Sequence, residues 1–121
     1  MENETFEITA SPADHLVPTL AFRIRSKLSG NVVVFSGDTA PSEKVVRLAE
    51  GAFILVHEST GAFPGHSSAY QAGEIARRSR ASLLILAHFN PQLPPEEMVK
   101  EASLAFSGPV RLASDGDSYE F

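Results

Sequence analysis

The chain has 121 residues, with 10 Lys plus Arg against 15 Asp plus Glu and a formal net charge of −5; this allows one domain and argues against a surface that holds polyphosphate by bulk charge, leaving room for local basic clusters. Hydrophobic residues at 43% and charged residues at 21% describe a packed core rather than disorder. Cysteine is absent, which excludes disulfides, thiolate metal sites and a cysteine nucleophile, so any metal must use His, Asp or Glu.

Residues 1–15 carry four acidic side chains and no basic one, the reverse of a signal or transit peptide, so a cytoplasmic protein is expected. No stretch approaches the roughly 18 consecutive apolar residues of a membrane span. In residues 19–25, Leu20, Phe22 and Ile24 alternate with Ala21, Arg23 and Arg25; Ser29-Gly30-Asn31 and an apolar run at 32–35 follow, which predicts a hairpin. The second strand is apolar on both faces and should be covered on both. Pro41 in a first turn and the stripe Val45, Val46, Leu48, Ala49 predict a short helix ending at Gly51.

A strand at 52–56, a loop at 59–65, a helix over 67–80 capped by Ser67, and a strand at 83–87 come next. Gly65-His66-Ser67-Ser68 resembles a serine-hydrolase elbow, but no strand runs into the serine. Arg77, Arg78 and Arg80 read as a solvated helix face. Pro94-Pro95-Glu96-Glu97 opens a last helix with Met98, Ala102 and Ala105 inward, and 109–113 with 118–121 predict a hairpin about Asp115-Gly116-Asp117. Strands alternating with helices imply an α/β sheet with crossover connections.

Three apolar strands lead into polar residues: Asp38, His57-Glu58 and His88. Ligands of α/β sheets bind beyond the carboxyl ends of the strands, so these four should converge on one rim, within reach of His15. Imidazole and carboxylate without sulfur suit Zn, and also Mn or Fe. A histidine at a strand end can equally be a hydrogen-bonded structural residue.

Asp14-His15-Leu16-Val17-Pro18, Ser36-Gly37-Asp38-Thr39, His57-Glu58-Ser59-Thr60, Gly65-His66-Ser67-Ser68 and Ala87-His88-Phe89 resemble the later motifs of metallo-β-lactamase-fold hydrolases, in that family's order and in its ribonuclease Z-like branch in particular. The resemblance runs from about residue 6 to 121. It implies the C-terminal half of an αββα sandwich, a mixed sheet with helices on its outer face, and one half-domain over 1–121. It implies metal-dependent phosphodiester hydrolysis by a metal-activated water at a two-metal site, Zn in the family with Mn or Fe possible. His15 would bind one metal, Asp38 bridge both, and His88 bind the other. Glu58 and His66 would form an acid and imidazole pair, with His66 protonating the leaving oxygen and Glu58 orienting it; His57 would be structural. RNA or another phosphodiester is the implied substrate.

The family's His-x-His-x-Asp-His motif does not occur in the sequence. Two hypotheses follow: a hydrolase represented by its C-terminal half, and a non-catalytic half-domain that self-associates. A sheet face deprived of its partner sheet loses about 25 cal/mol for each Å² of apolar area left in water. A homodimer or higher oligomer is therefore expected, a second copy replacing the missing half.

Overall fold

A computed structural model describes all residues, 1–121. In chain order the elements are β1 (Phe6–Pro12), β2 (Leu20–Ser26), β3 (Val32–Phe35), α1 (Glu43–Leu48), β4 (Ile54–Glu58), α2 (Ala69–Ser79), β5 (Leu83–Ala87), α3 (Pro95–Ser103) and β6 (Val110–Leu112). The six strands form one sheet in sequential order. The β1/β2 and β2/β3 pairs are antiparallel, whereas β3 to β6 run parallel, joined by the three helices. This is the expected mixed α/β sheet.

Strand alternation divides the sheet into two faces. Val32, Val34, Leu55, Leu84 and Leu86 pack with Val45, Ile75, Ala76, Met98 and Ala102 of the helices. Leu55, Leu84 and Leu86 are fully buried there, each contributing roughly 1.5–3 kcal/mol by leaving water. All three helices thus feed one core on one face. On the other face Val33, Ile54 and Ile85 are covered only by Ala113, Tyr119 and Phe121 of the tail and by neighbouring strand residues. Further along that face Leu20, Phe22 and Phe35 remain 51%, 40% and 41% exposed, with Phe22 opposite Phe35 in the β2/β3 register.

The helices end as their sequences dictate. Ser42 caps α1 by accepting from Val45 N, so Pro41 lies one residue outside the helix, not in its first turn. Ser68, not Ser67, caps α2: its hydroxyl accepts from Gln71 N while Gln71 accepts from Ser68 N, a reciprocal capping box. Ser67 is buried and donates to Thr39 O instead. Arg78 pairs with Glu43 and Arg80 with Glu50, in keeping with a solvated face. Ala105 is half-buried, and Phe106 occupies the core position beyond α3.

Three strand expectations need correction. β1 was hidden behind the acidic lead, although Phe6, Ile8 and Ala10 alternate and pair with Ser26, Ile24 and Phe22. β4 runs two residues later than read, so His57 and Glu58 belong to the strand. The C-terminal hairpin does not form. β6 pairs with β5, and past a turn closed by Asp117 N donating to Ser114 O the tail lays Tyr119 and Phe121 on the bare face. Phe121 stacks on Phe6 at 6.0 Å; burying two aromatic rings gains more than an exposed edge strand would. No helix is long and apolar enough to cross a membrane.

Candidate metal centre

The loop after β3 is tied to the end of β4. Ser36 Oγ accepts from Glu58 N at 3.0 Å and donates to Gly37 O at 2.7 Å. Gly37 has φ +62°, and a β-carbon there would lie 2.9 Å from Leu20 O, so only glycine fits the turn that delivers Asp38. Thr39 is fully buried; its N–H donates to Glu58 Oε1 at 2.9 Å and its hydroxyl accepts from Asp14 N at 3.0 Å.

The Glu58 carboxylate is 3% exposed and accepts from Thr39 N and His66 Nδ1 (2.7 Å) on one oxygen, and from Thr60 N (3.0 Å) and Ser67 N (3.3 Å) on the other. Burial pushes its pKa up. The hydrogen bonds from Thr60, Thr39, His66 and Ser67 together outweigh that and hold it below the usual value, so Glu58 is ionised.

His57 does not join the rim. In β4, Ile54, Val56 and Glu58 face one way and Leu55 and His57 the other, towards the helices. His57 is fully buried, donates from Nδ1 to Glu58 O at 2.8 Å, and has no partner at Nε2. Burial pushes its pKa down, against the smaller upward pull of Glu58, so the ring is neutral.

The other three histidines come together. His15 and His66 rings lie 4.9 Å apart, and His66 and His88 rings 5.9 Å. Each ring has its Nδ1 against oxygen: His15 on Gly65 O at 2.6 Å, His66 on Glu58 Oε1 at 2.7 Å, His88 on Asp38 Oδ1 and Thr60 Oγ1, both at 3.0 Å. Carbonyl and carboxylate oxygens only accept, so the neutral rings carry their proton on Nδ1 and present Nε2 as the basic nitrogen. Gly65, at φ +78°, permits the first contact; a β-carbon there would be 2.8 Å from His15 Nδ1.

Asp38, His66 and His88 offer ligand atoms all within 4.8 Å of one another. His15 sits beside His66 but outside that group, and Glu58 is turned to its four donors. The donor set, two imidazoles with a free Nε2 and one carboxylate, fits a borderline cation such as Zn, and also Mn or Fe. It is enough for one ion. A cavity of about 210 Å³ opens on Asp38 and His88, walled by Phe35, Ser36, Val56, Glu58 and Ala87. Thr39, Thr60 and Ser36, whose hydroxyls hold the site, are not ligands by residue type; their place within Ser36-Gly37-Asp38-Thr39 and His57-Glu58-Ser59-Thr60 is the signal in the sequence.

No protein-family model matches the chain. Ribonuclease Z of Methanothermobacter thermautotrophicus is 42% identical over 86 residues, 64% of this chain and 28% of that protein. Ribonuclease BN of Proteus mirabilis is 32% identical over 108 residues, 80% of this chain and 35% of that protein. The metallo-β-lactamase fold protein YhfI from Bacillus subtilis superposes with a TM-score of 0.91 at 29% identity, over 99% of this chain and 52% of that one. The chain belongs to the metallo-β-lactamase-fold superfamily. Within it the chain is ribonuclease Z-like: the short form of human tRNase Z has a TM-score of 0.73 at 26% identity, over 95% of this chain and 43% of that one. This member of the superfamily spans about a third of the curated relatives' length and about half of the solved ones.

Proposed function

We propose that the chain carries the acid-bearing side of a metal-dependent phosphodiesterase centre, acting on RNA or a related phosphodiester. The observation that supports this is the set of three adjacent histidines that each spend Nδ1 on an oxygen and leave Nε2 free. Asp38 and His88 would hold metal, Zn first and Mn or Fe after it, with His15, which lies beside His66 but outside the Asp38, His66 and His88 group, as the third ligand in place of His66. When bound, a divalent cation supplies Lewis-acid polarisation of a phosphoryl oxygen and acidifies water. His66 is assigned as the general acid. Its Nδ1–H on Glu58 stabilises the imidazolium, and the outer Nε2–H is then delivered to the leaving oxygen. Glu58, ionised and held by three backbone N–H groups, keeps that ring in place and takes no proton itself.

Hydrolysis of bis(p-nitrophenyl) phosphate, with Zn or Mn added, tests the reading. Activity that disappears in Asp38→Ala is the expected result; no turnover at any metal concentration overturns it in favour of a non-catalytic half-domain. His66→Ala separates acid from ligand: an acid role predicts activity about 10²- to 10⁴-fold lower with zinc affinity kept, whereas a ligand role predicts lost affinity.

The exposed Leu20, Phe22 and Phe35 favour a second proposal, compatible with the first. A second copy covers this face, giving a homodimer or higher oligomer. Sedimentation at micromolar concentration should show it, and a clean monomer would overturn it.

A further inference from the structure

We propose that Thr60 is a positioning residue that sets the tautomer and pose of His88. Its hydroxyl has one proton, and that proton goes to His88 O at 3.0 Å. The oxygen is therefore an acceptor toward His88 Nδ1, also at 3.0 Å. One hydroxyl thus grips both the backbone and the ring of the same histidine. The backbone grip falls where it is needed, since His88 has φ +49°, a left-handed conformation that histidine seldom adopts. That conformation turns the residue out of the line of β5 and toward Asp38.

Thr60 is itself held from the other side, because its N–H donates to Glu58 Oε2 at 3.0 Å. The residue therefore links the carboxylate that orients His66 to the imidazole of His88. Asp38 Oδ1 is the other acceptor near His88 Nδ1. A carboxylate that also binds a cation is a weaker acceptor for that proton, so Thr60 is the partner whose hold on Nδ1–H does not compete with ligation. With Nδ1 protonated, Nε2 keeps its lone pair facing outward. The consequence for metal affinity rests on the assignment of His88 as a ligand; the consequence for the tautomer does not.

The test compares the whole chain with Thr60→Val, which keeps the shape and removes the hydroxyl, and Thr60→Ser, which restores it. The ¹⁵N shifts of the His88 imidazole, recorded without metal in an Asp38→Ala background where Thr60 is the acceptor left at Nδ1, read the tautomer, and competition with a chromogenic chelator in chains that keep Asp38 reads zinc affinity. Chains with Thr60 or Thr60→Ser should show the Nδ1–H form. Thr60→Val should gain the Nε2–H form and bind zinc about 10- to 100-fold more weakly, the usual loss when a ligand's outer partner is removed. An unchanged His88 tautomer in a folded Thr60→Val overturns the proposal. If wild type binds no zinc but the tautomer shifts in Thr60→Val, the metal assignment fails and the role of Thr60 stands. If both proteins bind zinc equally and both hold the Nδ1–H form, the reverse is true.

Discussion

Four donors converge on the two oxygens of Glu58, and three of them are backbone N–H groups that no side-chain substitution can remove. Glu58→Gln would turn an amide N–H₂ toward one pair of those donors and leave buried N–H groups unpaired. Hydrogen bonds to a buried charge contribute about 1.5–3 kcal/mol, so a loss of about 3 kcal/mol is expected in urea unfolding, together with a slackened His66. Two buried groups also set the acid limit of stability. Glu58 binds its proton less readily folded than unfolded; the stability it contributes is present above its ordinary value of 4.5 and disappears as pH falls through the lower folded value. His57 acts earlier. Unfolded, its ring takes a proton below about 6.5, whereas the buried ring does not, so stability declines as pH drops from that value. Urea midpoints should therefore fall in two stages, and His57→Leu should abolish the upper one.

The contrast between His57 and Glu58 marks how far residues could be read from sequence. The pair was visible as a strand end, but which member faces the site depends on where β4 stops. Placing that end two residues early made both look like rim residues; in the strand itself alternation sends them to opposite faces. Asp38, His66 and His88 were legible because loops deliver them directly, and Thr60 was not, since a hydroxyl acquires its role only once β4 and β5 lie side by side.

Elements were legible where their pattern is internal to them. The stripe Ala69, Ala72, Ile75, Ala76 identifies α2 without knowledge of its neighbours, and Ser68→Ala should weaken it by about 1 kcal/mol through the lost cap, seen as a lower melting temperature. Gly73 is different. Within the helix it is a liability, yet a β-carbon there would meet Ala102 O at 2.4 Å, so the glycine lets α2 and α3 touch. Gly73→Ala gains about 1 kcal/mol of helix propensity but forces the helices apart at a cost of typically 1–3 kcal/mol; net destabilisation in denaturant is expected, against the propensity scale. β1 and the tail escaped sequence reading because both take their conformation from a partner. β1 extends along β2, and Tyr119 and Phe121 settle on whatever apolar surface the sheet leaves bare.

At the scale of the molecule one sheet face is finished and the other is not. The helices seal Val34, Leu55 and Leu84, while on the far side a tail of two aromatic rings covers part and leaves Phe22 and Phe35 in water. Phe22→Glu places a charge opposite Phe35 on that face and should shift sedimentation of the proposed assembly toward the monomer.

The bare face and the metal centre are not separate surfaces. Phe35 and Val56 wall both the cavity beside Asp38 and an apolar groove of about 270 Å³ that runs beneath Tyr119 and Phe121. A second copy seated on the face as proposed would also close the side of the site and would couple assembly to the proposed turnover. The rate per chain should then rise with chain concentration, with a reaction order above one in protein well below the association midpoint and an order of one above it.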